Sequence, residues 1–362
     1  MEPSMDRTGN SSETLLERLG LAGLVARVRE LEVPSDGLTW NRFCGSLLFV
    51  LVVLLFLSGA FLAFYYTPAP GVAYDSVDHA QFNIPFGDVV RGIHYYGWNL
   101  LLVVMGLHLV RAFLVGGYKP PREFVWVSGV VVMLVVPAFI ITGDLLPWDQ
   151  KGYWSTQVRN SIMATVPVLG DFLVRMLQGG PRTGIVALTR FYVLHTIILP
   201  ALLVFLIGAH LHLLSHRGLS SPLTGANTAR KRVPLVPNMI NRWLVLFIAV
   251  TVILGLVSWY WPAPLGDPAD PTDSTFVPKP EWWVLPLNQL VAIFRGPLTA
   301  IATAIVPAAL VGLIMALPFI DRSKEQHPSR RKKILLLGSA IAVILLALAV
   351  MGYIEHHLTP LE

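Results

Sequence analysis

Seven stretches of this chain are apolar for long enough to cross a bilayer: Phe43–Tyr66, Gly92–Phe113, Phe124–Gly143, Phe191–Leu214, Trp243–Pro262, Leu298–Ile320 and Ile334–Ile354. A backbone in hydrocarbon must satisfy its own N–H and C=O groups, so these runs predict an all-α membrane protein with seven transmembrane helices. Only 14% of the 362 residues are charged, against roughly 25% in a soluble domain, and 54% are hydrophobic; a soluble enzyme is excluded. The single cysteine, Cys44, excludes a disulfide scaffold. The net charge of +5 does not point to nucleic acid, because the basic residues sit in short segments between apolar runs, where they set membrane orientation. Two further apolar stretches, Ile162–Leu177 and Trp282–Phe294, are broken by Pro, Gly or charge and read as short helices within the connections.

Lys and Arg concentrate in the N-terminal segment and in the second, fourth and sixth connections, which include Arg122, Arg217 and Arg330. The other three connections are longer yet poorer in basic residues, which places the N-terminus in the cytoplasm of a multi-pass protein of the bacterial inner membrane. Before the first span, Thr14–Leu31 sets Leu15, Leu16, Leu19, Val25 and Val28 at helical spacing among charged residues and reads as an amphipathic surface helix. The polar, basic stretch 220–241 then divides the chain. The expected organisation is a surface segment (1–37), a four-span bundle (38–219), a cytoplasmic linker (220–241) and a three-span part (242–362).

The second span contains His94 and His108, and the fourth contains His195 and His210. Such side chains are costly inside a membrane and are functional candidates by default. Spacings of 14 and 15 residues leave each pair on one helix face, roughly 40° and 60° apart in rotation and about 21 Å apart along the axis. The second and fourth spans run in the same direction, so His94 is level with His195 and His108 with His210. Imidazole pairs without cysteine or carboxylate suit the axial positions of haem iron better than a four-ligand zinc site, which predicts two b-type haems in the four-helix N-terminal bundle. His212 and His216 compete for the last position, but His212 is turned about 100° off the shared face and His216 falls at the membrane surface. Gly45 and Gly59, and Gly129 and Gly143, repeat the 14-residue spacing, which either admits a flat macrocycle beside the backbone or allows close helix packing. Arg91 and Arg111 suit haem propionates or interfacial anchoring.

With these histidines and glycines, GDLLPWDQKGYW (Gly143–Trp154), PEWW (Pro280–Trp283), YKPPRE (Tyr118–Glu123) and DPADP (Asp267–Pro271) make the chain resemble cytochrome b of the quinol:cytochrome c or plastocyanin oxidoreductases. It is closest to the chloroplast-type arrangement, as a fusion of a four-span cytochrome with a three-span subunit. The resemblance implies bifurcated quinol oxidation at an outer pocket that includes Pro147, Trp148, Asp149, Pro280, Glu281, Trp282 and Trp283, with Glu281 as the catalytic proton acceptor. It implies electron transfer through both haems to an inner quinone site, for which Arg122, His216 and Arg217 are candidates. A Rieske iron-sulfur protein and a c-type cytochrome are the implied partners in a homodimeric complex, because this chain lacks the Cys–His set for such a cluster. For Cys44 two readings stand, a third haem held by one thioether bond or an inert thiol. Trp283 and Asp144 stand where the family usually has tyrosine, and an aspartate common before the fifth span is absent from PNMINR (Pro237–Arg242). The competing functions are a di-haem membrane anchor for a dehydrogenase or hydrogenase, which needs no PEWW loop, and a proton-coupled transporter, which needs broken helices and inverted repeats.

Overall fold

The computed structural model describes residues 30, 32–34, 43–180, 182–218, 232–273, 275–323 and 325–358. The expected amphipathic helix Thr14–Leu31 lies outside the described residues but for Glu30, and the expected linker is described only from residue 232. In chain order the elements are β1 (Glu32–Pro34), α1 (Phe43–Tyr65), α2 (Ala73–Phe82), α3 (Gly87–Leu114), α4 (Glu123–Asp144), α5 (Gln150–Ala164), α6 (Gly170–Gln178), α7 (Ile185–Arg217), β2 (Arg232–Pro234), α8 (Asn238–Tyr260), α9 (Leu285–Ile293), α10 (Gly296–Ile320) and α11 (Lys332–His356). Seven of them, α1, α3, α4, α7, α8, α10 and α11, are long and apolar enough to span a membrane. The two strands pair antiparallel with Val33 opposite Val233.

Each expected span is present within a few residues of its sequence bounds. The apolar stretch Ile162–Leu177 is divided, because α5 stops at Ala164 and the turn through Pro167 separates it from α6. Helix α2 in the first connection has no apolar run to announce it.

Leu51 and Leu54 of α1, Ile93, Leu101 and Val104 of α3, Val136 and Ile140 of α4, and Val250 and Leu254 of α8 form one buried core. The fifth span therefore packs into the same cluster as the first three, although it follows the stretch expected to divide the sequence. Helix α10 lies against α4 and α9 against α11. Large apolar side chains remain on the outside, among them Phe205, Leu336 and Leu346, as helices facing hydrocarbon require.

Besides the π turn at Ile354–Leu358 that ends α11, two spans carry one within their length, at Leu194–Ile198 and at Ile301–Ile305. In each, a proline sits two residues beyond the turn, Pro200 and Pro307, and has no N–H to return to the preceding turn of helix. The backbone bonds instead reach one residue further, from Leu199 N to Leu194 O and from Val306 N to Ile301 O.

The second and sixth connections are joined by a buried ionic latch. Lys119 pairs with Asp321 and also donates to Ser323, while the Tyr118 hydroxyl donates to Asp321 at 2.6 Å and accepts from Arg331 at 2.8 Å. Burial alone would raise the Asp321 carboxyl, but hydrogen bonds from Lys119, Tyr118 and Ser323 outweigh it and hold its pKa below the ordinary value. The stabilisation from this depressed carboxyl is complete at neutral pH and is lost as pH falls through the depressed value. Asp321→Ala leaves the Lys119 ammonium, 1% exposed, without its counter-ion and is expected to cost about 3–5 kcal/mol in denaturant unfolding of the purified protein. Glu325→Ala, which removes an exposed pair with Arg330, is expected to leave the transition unchanged.

Candidate functional site

The four histidines occupy two levels of the bundle formed by α1, α3, α4 and α7. At the first, the rings of His94 and His195 face each other with centroids 6.3 Å apart and planes crossed at 68°. Two imidazoles on one metal ion need about 2.0 Å from metal to each nitrogen and about 1.1 Å from nitrogen to ring centre, roughly 6.2 Å from ring to ring. The observed spacing would admit one metal ion between the two rings. At the second level His108 and His210 lie within electrostatic reach of each other.

Hydrogen bonding decides which nitrogen is free for a metal. The Ser58 hydroxyl donates to Leu54 O at 2.8 Å, so its oxygen accepts from His94 Nδ1 at 3.0 Å. Ser128 donates to Val125 O at 3.0 Å and faces His210 Nδ1 at 2.9 Å; Thr142 donates to Ala138 O at 2.7 Å and faces His195 Nδ1 at 3.2 Å. His195 Nδ1 also lies 3.0 Å from Phe139 O, a group that can only accept. These three imidazoles therefore carry their proton on Nδ1 and keep a bare Nε2, the form that ligates metal.

The π turn at Leu194–Ile198 contains His195. By absorbing one residue, it lets the 15-residue interval in α7 present its histidines much as the 14-residue interval does in α3. The four glycines sit against the rings: a Cβ on Gly59, Gly129, Gly143 or Gly45 would lie 3.0, 3.1, 2.6 or 3.7 Å from Cε1 of His94, His210, His195 and His108 respectively. A methyl group at Gly143 would displace His195. Helix α7 directs His212 elsewhere, since its ring packs against His216, centroids 4.3 Å apart and planes tilted by 44°, on the exposed face. The donor set and its spacing fit haem.

Arg91 is buried and commits its guanidinium to the protein, donating to Gln81, to Ala263 O at 2.9 Å and to Pro264 O at 2.7 Å. Arg111 is half-buried at the other end of α3, within electrostatic reach of Cys44, a free thiol packed against the core.

The third and fifth connections meet at the His94 end. Asp149 caps α5 by accepting from Gly152 N at 2.8 Å and reaches Gly266 N at 3.2 Å. Gln150 N donates to Asp267 O at 2.9 Å and Ala269 N to Trp148 O at 3.0 Å, so DPADP is stitched to the GDLLPWDQ loop by backbone bonds. Trp148, with a left-handed φ of 52°, is held in that conformation by packing among Ala73, Leu145, Leu188 and Phe191. Trp148 and Asp149 are thus framework residues of the loop. Pro147 and Pro280 are half-buried.

Glu281 does not cap α9, whose first turn has no side-chain cap; its carboxylate pairs with the Lys151 ammonium across the two connections. Burial works against the Lys151 charge, but Asp144 and Glu281 outweigh it and raise its pKa above the usual lysine value. Asp144, in place of a tyrosine, pairs with Arg159 at 2.8 Å. Trp282 is exposed and donates to Asn99 Oδ1 at 2.8 Å, whereas Trp283 packs against the main core.

A cavity of about 430 Å³ opens between α5 and the α9–α10 segment, lined by Trp154, Val158, Ile162, Thr165, Val291 and Thr299. None of these was among the expected quinol-site residues, although Trp154, Val158 and Ile162 repeat every fourth position on one face of α5, the pattern by which they are legible. At the His108 end, Arg122 is buried at the start of α4 while His216 and Arg217 are exposed at the end of α7.

Comparison with known proteins shows what the chain is similar to. Residues 99–268 match the family described as cytochrome b (N-terminal)/b6/petB. Cytochrome b6 of Synechococcus sp. (strain RCC307) is 38% identical over 208 residues, which are 57% of this chain and 94% of that protein. Cytochrome b6 of Prochlorococcus marinus (strain MIT 9303) is 39% identical over the same shares. Among solved structures, a chain of "Hyperthermophilic respiratory Complex III" superposes with a TM-score of 0.79 and 27% identity, covering 97% of this chain and 92% of that one.

Proposed function

The chain belongs to the cytochrome b/b6 family, and from that premise we propose that it is the cytochrome b subunit of a quinol-oxidising, proton-translocating complex, in which quinol is oxidised with bifurcation at the outer, Glu281 end and quinone is reduced at the cytoplasmic end. The 6.3 Å ring-to-ring spacing of His94 and His195 carries this reading. His94 with His195, and His108 with His210, would hold two b-type haems, which when bound supply one-electron carriers linking the two membrane faces.

The chain's own part is to position substrate, exclude water and move a proton. Quinol enters the apolar cavity beside α5. Glu281, in the fifth connection and restrained by Lys151 of the third, takes the proton of a quinol hydroxyl and releases it to water as the ion pair opens. Trp283, lacking a phenolic hydroxyl, contributes packing. A Rieske iron-sulfur protein, a c-type cytochrome and a second copy of the subunit complete the complex. The residues beyond the length of the cytochrome b6 relatives correspond to a fused three-span subunit, with division of the chain at 220–241. The bacterial inner membrane, N-terminus inside, is the location consistent with the distribution of Lys and Arg.

Pyridine haemochrome analysis of the purified chain is expected to give two b haems per polypeptide, and a haem-stained denaturing gel reports whether Cys44 carries a third. Co-purification with a Rieske protein and inhibitor-sensitive quinol:cytochrome c activity are expected with it. A colourless preparation overturns the proposal.

A further inference from the structure

Each of the four imidazoles is faced by a glycine, and each glycine is preceded by a short polar residue: Cys44, Ser58, Ser128 and Thr142. At three of these positions the hydroxyl proton is given to a carbonyl of its own helix and the oxygen is left facing an imidazole Nδ1, at 2.9–3.2 Å. The fourth position holds a thiol, a weak acceptor. His108 Nδ1 is buried there and has no hydrogen-bond partner among the described residues. The ring still sits in the same cradle, with Gly45 facing its Cε1 at 3.7 Å. What differs is the acceptor.

A metal-bound imidazole whose second N–H is held by a strong acceptor becomes a more basic ligand and favours the oxidised metal; one without that bond favours the reduced metal. We propose that residues 44, 58, 128 and 142 are positioning residues that set the donor strength of the imidazole each faces, and that Cys44 makes His108 the weakest of the four ligands. The iron held by His108 and His210 is thereby biased toward its reduced state relative to the iron held by His94 and His195, which drives electrons from the Glu281 end toward the other. This inference rests on the two-haem reading of the site.

The test is an optically monitored redox titration of the full chain in its complex, with electron paramagnetic resonance of the low-spin irons. Cys44→Ser supplies the missing oxygen and is expected to lower the midpoint of the His108/His210 couple alone, on the order of a tenfold change in the one-electron equilibrium, ~59 mV, with a change in that iron's g values. Ser58→Cys copies the exception to the other level and is expected to raise the His94/His195 couple alone. Two haems bound with both couples unmoved, or shifted together, overturn the inference and leave the two-haem reading intact. Loss of a covalently stained haem band in Cys44→Ser overturns it too, by making Cys44 an attachment point. Absence of haem from the unmodified chain overturns the functional reading itself.

Discussion

His195→Ala is expected to remove one of the two proposed b haems and to leave the other. His94 alone offers one axial nitrogen, and the Thr142 hydroxyl and Phe139 carbonyl that orient His195 have no ligand left to hold. The second level lies about 21 Å away along the helix axis and keeps both its imidazoles. Pyridine haemochrome content is expected to fall by half, with the low-spin signal of the crossed pair lost. His212→Ala provides the contrast: its ring packs against His216 on the exposed face of α7, so both haems are expected to remain. Retention of both haems by His195→Ala, or loss of one in His212→Ala, would show the ligand assignment to be wrong.

Glu281→Gln is the second large effect. An amide keeps the shape of the side chain but accepts no proton at neutral pH, and loss of a positioned general base typically slows a reaction by about 10²–10⁴-fold. Quinol oxidation by the complex is expected to fall by that order while haem content and spectra stay unchanged, which separates a catalytic role from a structural one. Lys151→Gln acts differently. Its removal frees the carboxylate without taking away the proton acceptor, so quinol oxidation is expected to fall by less than in Glu281→Gln. A Glu281→Gln complex of full activity would exclude this residue as the proton acceptor.

Much of the architecture was legible because membrane insertion imposes a local rule: an apolar run of sufficient length becomes a helix whatever surrounds it. All seven spans follow from that rule, and α2, being polar, escapes it. Histidine spacing along two helices gave the two levels of the site, since residues on one helix keep a fixed rise and rotation. The same rule left the 15-residue interval in α7 about 60° out of register with itself, and Pro200 resolved this through a π turn that no periodicity could reveal.

The sequence by itself determined the membrane class, the number of spans and the spacing of four histidines along two of them. Tertiary structure alone decided that hydroxyls from α1 and α4 would fix the imidazole tautomers, and that Arg91 would brace the turn after α8. It also decided that Glu281 would meet Lys151 across 130 residues of chain. Helix formation in lipid depends on groups a few residues apart, whereas these contacts depend on how separate helices are rotated against one another, and that rotation is set by packing of the assembled bundle.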